Sequence, residues 1–147
     1  MAREAMAFII ALILIRPLDE LLFAIGHSIL AENVFPGSRI FSWQSRLIDV
    51  LHVPTCLVAV GLFSWLCRKW IVAPELWMLV PPFLWLLWEF LRVLLRALRG
   101  ESMAKSLLKD KGRPWSAGLE IRERLWTYGL QFAALAGAGI LWIGLPK

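Results

Sequence analysis

The sequence lacks the short signatures that announce an enzyme. It has no Gly-rich phosphate loop ending in Lys-Ser/Thr, no His-Glu-x-x-His, no Gly-x-Ser-x-Gly and no Cys/His cluster. Ser28 follows His27 directly, so the two leave a helix from different faces and do not pair as nucleophile and base. Only two cysteines occur, Cys56 and Cys67. Lying far apart in one apolar stretch, they make neither a disulfide framework nor a close metal or redox pair, and read as small buried hydrophobes. No small-x-small cleavage site follows the apolar stretch Met6–Ile15; Arg16-Pro17-Leu18-Asp19-Glu20 stands there instead, so the segment reads as retained. Internal repeats and low-complexity tracts are also missing.

What is abundant is hydrocarbon. The apolar fraction is 59% over 147 residues, above the roughly 45–50% of soluble chains, and a single soluble domain of this length could not bury it. Nine tryptophans add to the pattern, because Trp concentrates at membrane–water interfaces. The chain therefore reads as an all-α integral membrane protein: one domain, 1–147, forming a small bundle of four spans. These are Ala5–Leu30, Asp49–Trp70, Leu76–Ala97 and Leu125–Leu145, each near the ~20 residues a bilayer requires. The first is expected to be kinked, or broken into a re-entrant hairpin, at Arg16-Pro17. Pro81-Pro82 is expected to kink the third near one end.

The 16 Lys/Arg outnumber the 11 Asp/Glu, and the excess is local. Between Arg92 and Arg124 stand nine basic and four acidic residues. So close to spans, this segment predicts contact with anionic lipid headgroups rather than nucleic acid, for which no reading element is present. Arg96, Arg99, Lys105 and Lys109 are the expected headgroup contacts. Apportioned by connection, ten basic residues fall on the side of the 98–124 segment and four (Arg3, Arg68, Lys69, Lys147) on the other. The basic connection is therefore expected in the cytoplasm with both termini outside, in a bacterial inner membrane. Gly112-Arg113-Pro114 should break the connection, and Ser116 should cap the helix that follows.

The charges inside the apolar runs are the features that point to function. Arg16 reaches Asp19 and Glu20 at three- and four-residue spacing, and Glu89 falls at a matching depth in the third span, followed by Arg92. Charge at membrane depth is expensive and marks assembly, docking or ion handling. Arg16, Asp19, Glu20, Glu89 and Arg92 are thus expected to share one intramembrane layer. Neutralising Arg92 alone should cost more than neutralising it together with an acid.

Two further groups stand out. His27 and His52 lie at similar depths on adjacent spans, the placement a bis-His haem b anchor uses; two nitrogens are too few for a closed metal site, and no metal is expected. Gly129, Ala133 and Gly137 repeat every four residues on the last span and predict a tight helix–helix contact, within the subunit or between subunits. Three functions follow. The leading one is a non-enzymatic subunit or accessory protein of a larger membrane complex, partnered by lipids and by other subunits or itself. The others are a small proton- or cation-coupled carrier or channel-like oligomer, and a haem anchor.

Overall fold

Every long apolar run folds as helix, and no strand forms among the described residues. The computed structural model describes residues 1–37 and 39–145; Lys147, one of the cations apportioned above, lies outside them. Helix α1 (Ala2–Asn33) runs unbroken through Pro17, so neither a re-entrant hairpin nor two half-helices form. A proline removes one amide donor and crowds the carbonyl a turn back, a defect that a helix held by its neighbours absorbs. Here Pro17 faces outward, while Arg16 and Asp19 on either side of it point inward and are tied to other helices. The buried stripe of α1 is Ala7, Ala11, Ile15 and Asp19, one face of a helix at four-residue spacing.

Helix α2 (Trp43–Asp49) leads into α3 (His52–Leu66), which closes with a π-helical turn at Cys67–Ile71. This helical stretch starts six residues before the expected Asp49, because Ser42 accepts the Ser45 amide and caps α2. A 3₁₀ turn at Leu76–Leu79 then feeds α4 (Val80–Arg99). Pro81 and Pro82 stand in the first turn of α4, just after the 3₁₀ turn, where an amide has no intrahelical partner to lose. Gly100 ends α4 with a left-handed φ of 69°, a conformation that favours glycine. Ser102 caps α5 (Met103–Asp110), and Ser116 accepts the Leu119 amide at 3.1 Å to start α6 (Ala117–Gly144) as its position predicts.

Three stretches, Trp43–Ile71, Leu76–Arg99 and Ala117–Gly144, are long and apolar enough to cross a bilayer. They give the chain the build of a multi-pass membrane protein. At 32 residues α1 is longer than any of them, but Arg16, Asp19 and Glu20 interrupt its apolar run. The long helices pack in a ring, α1 against α3 and α4, and α6 against the same two, so α1 and α6 face each other across the diagonal. One half of the bundle is filled by apolar side chains, including Ala7, Ala11, Ala59, Val60, Phe63 and Ala138. The alanines let backbones approach closely, which is how helices associate where lipid leaves no hydrophobic drive.

The 98–124 connection is folded rather than loose. Glu120, 1% exposed, accepts from Ser102 Oγ at 2.6 Å and Trp115 Nε1 at 2.7 Å, pinning α5 and the linker to the start of α6. At the opposite end Arg68 donates to the Trp142 carbonyl, and the Lys69 ammonium lies about 5 Å from the ring centroids of Trp65 and Trp70. The two cations that fit the orientation rule least well are thus held by a carbonyl and by indole faces.

Candidate functional site

The site begins with Arg16, which is only 4% exposed. Near the middle of α1, it turns its guanidinium toward the centre of the ring. Nη1 donates to Asp19 Oδ2 at 3.3 Å and to Gln131 Oε1 at 2.9 Å. Nη2 donates to Glu20 Oε1 at 2.9 Å and to Glu89 Oε2. Planar, always charged and rich in donors, arginine is the side chain suited to organising several acceptors. Gln131 sits close to the midpoint of α6 and Glu89 close to that of Leu76–Arg99. The helices therefore deliver their polar groups to one layer.

Around this hub the acids differ in how well they are served. Asp19 Oδ1 accepts a second hydrogen bond from Thr55 Oγ1 at 2.5 Å, and Oδ2 faces His52 Nδ1 at 3.6 Å. Glu89 Oε1 takes the Trp85 indole N–H at 2.9 Å, giving that mid-span tryptophan its acceptor. Among the described residues Glu20 is hydrogen-bonded by Arg16 alone, and its side chain is half exposed. Three carboxylates on one guanidinium leave a formal surplus of two negative charges, which a low-dielectric setting disfavours unless cations or protons offset it.

Glu20 also lines a polar cleft. This cavity of about 350 Å³ is lined by Glu20, Phe23, His27, Asp49, His52 and Gln131, among others, and reaches Glu123, Arg124 and Thr127 toward the start of α6. A second carboxylate, Asp49, sits along it, accepting from Thr127 Oγ1 at 2.8 Å, and a third, Glu123, lies at its far end, paired with Arg46. The volume and polar walls suit water.

The structure thus brings together Arg16, Asp19, Glu20 and Glu89 and leaves Arg92 out. Arg92 is exposed and makes no ion pair among the described residues; it stands almost a full helical turn further along α4 than Glu89. The expected penalty for neutralising Arg92 belongs to Arg16 instead. Gly129 and Ala133 face outward, Gly137 is half buried, and a methyl group built on either glycine meets nothing. Within the subunit the small residues of α6 that pack are Ala134, Ala138 and Gly139, the last directly against Leu79. Arg96, Arg99, Lys105 and Lys109 are all exposed, and Arg96, Lys105 and Lys109 share one shallow concavity with Glu101 and Ser102.

His27 and His52 both line the cleft, yet they do not oppose one another across a slot. Phe23 stacks face to face on His52 at 3.7 Å and also touches the His27 ring at 5.8 Å. His52 Nε2 is occupied by the Gln131 amide nitrogen at 3.3 Å, where a haem iron would have to bind. Sequence reasoning missed Thr55 and Gln131. Gln131 did carry a signal: it is the single amide side chain in the apolar run that follows Tyr128. No family description matches the chain, and no curated protein or solved structure matches it.

Proposed function

We propose that the chain crosses the membrane four times, with α1 as the fourth span, and works as a small cation-coupled carrier whose binding carboxyl is Glu20. One observation carries this reading: an excess of carboxylates gathered on Arg16, one of which lines a polar cleft. Such a surplus attracts a cation or a proton, and the cleft supplies water access from one side. Docking of a partner helix draws less support, since each of the three acids already accepts a hydrogen bond from Arg16 inside the chain. The distribution of basic residues favours the 98–124 connection on the cytoplasmic side of an inner membrane, and the cleft extends toward that end to Ser45, Glu123, Arg124 and Thr127.

Purified protein reconstituted in vesicles holding a pH-sensitive dye, with Na⁺ or K⁺ gradients imposed in turn, tests this directly. Flux is expected in the native protein and at least a tenfold loss in Glu20→Gln. Absence of any cation flux, or flux unchanged in Glu20→Gln, overturns the proposal.

A second reading, a subunit of a larger or self-associated membrane complex, draws on the outward Gly129 and Ala133, a face suited to a close helix contact. It expects a defined oligomer or a co-purifying partner in mild detergent. A solitary monomer there sinks it.

A further inference from the structure

Asp19, Glu20 and His52 bring one oxygen or nitrogen each to within 4.8 Å of one another, and such a trio resembles a divalent-metal site. The hydrogen bonds around it say otherwise. Arginine only donates, so the Gln131 atom that meets Arg16 Nη1 at 2.9 Å is the carbonyl oxygen. The other end of that amide, the NH₂ group, is therefore the one that faces His52 Nε2 at 3.3 Å. An NH₂ group donates, which makes Nε2 the acceptor and leaves the imidazole proton on Nδ1.

Nδ1 is buried, makes no hydrogen bond, and looks onto Asp19 Oδ2 at 3.6 Å. Its N–H is aimed into the charged layer, beside Thr55 and Arg16, which already donate to the same carboxylate. Phe23 covers one face of the ring, stacked at 3.7 Å with an interplanar angle of 4°, and keeps it from turning over.

Accepting the cation-carrier reading, we infer that Gln131 is a positioning and specificity-determining residue: it locks His52 in the Nδ1–H tautomer, so the site handles protons and refuses transition metals. In this state neither ring nitrogen has a free lone pair. One is spent on the Gln131 amide and the other bears the proton. A metal arriving at Glu20 finds carboxylates but no nitrogen, whereas a proton needs only the carboxylate.

The chain has only two histidines, so ¹⁵N-histidine labelling reads the tautomer directly. In the native protein one histidine, absent from the spectrum of His52→Gln, is expected to show a protonated Nδ1 and an unprotonated Nε2. Gln131→Glu keeps an acceptor for Arg16 but offers Nε2 an acceptor as well. The proton is expected to move to Nε2, and the site is then expected to bind Co²⁺, seen by its visible absorption, which the native protein does not bind. Should Gln131→Glu fail to fold, the native spectrum and native Co²⁺ titration decide alone. An Nε2–H signal for His52, or Co²⁺ bound by the native protein with a shift of that signal, overturns the inference. Vesicles that move Co²⁺ or Mn²⁺ but not protons would sink it while leaving the carrier reading intact; no flux of any cation would sink the carrier reading, with the tautomer still readable by its spectrum.

Discussion

Replacing Arg16 with methionine, which fills similar space without charge, is expected to destabilise the protein more than any other single change in the charged layer. The loss is about 3–5 kcal/mol, the cost of leaving a buried charge without its partner. Here three carboxylates lose one guanidinium together, and Gln131 loses its donor. Thermal unfolding in detergent, followed by the monodisperse fraction, should place the midpoint of Arg16→Met far below that of the native chain. Adding Asp19→Asn, Glu20→Gln and Glu89→Gln to Arg16→Met should recover most of the difference, because neutral amides need only hydrogen bonds. Arg92→Met, in contrast, should leave the midpoint close to native, since that side chain is exposed. Equal damage from Arg16→Met and Arg92→Met, or no recovery in the combined variant, would mean that Arg16 is wet and the layer is not a low-dielectric one.

How far this layer was legible in the sequence depends on the range of each contact. Arg16 with Asp19 and Glu20 is a matter of helical spacing alone, and the helix runs through Pro17 to keep it so. Glu89 follows from depth, because spans of similar length bring their midpoints to one plane. Thr55, His52 and Gln131 depend instead on how α3 and α6 are rotated about their own axes, which local periodicity leaves open. Helix α6 shows the difficulty well. It carries small residues on two interleaved faces, Gly129–Ala133–Gly137 and Ala134–Ala138, and only packing against α3 and α4 decides that the second goes inside. Arg92, almost a turn beyond Glu89 on the same helix, is exposed instead of joining Arg16.

The one-sided cleft makes the second large effect. Cys56 and Cys67 are buried, so native protein should react little with a membrane-impermeant maleimide and give a clean background. Cysteine placed at Ser45 or Thr127, both lining the cleft, should label rapidly from the side of the 34–49 connection and not from the other. Cysteine at Val60, fully enclosed in the apolar half, should label from neither. A buried thiol reacts only when its surroundings open, and an opening free energy of about 3 kcal/mol already slows it about a hundredfold. The contrast between positions 127 and 60 on the accessible side should therefore be at least of that order. A carrier needs one face sealed while the other is open, and on the reading proposed above the packed Ala59, Val60, Phe63 and Ala138 are the residues that would seal it. Reaction of the Thr127 cysteine from both sides would describe a continuous pore instead. Silence at both Ser45 and Thr127 would mean that water never reaches Glu20, and a carboxyl with no water cannot trade protons.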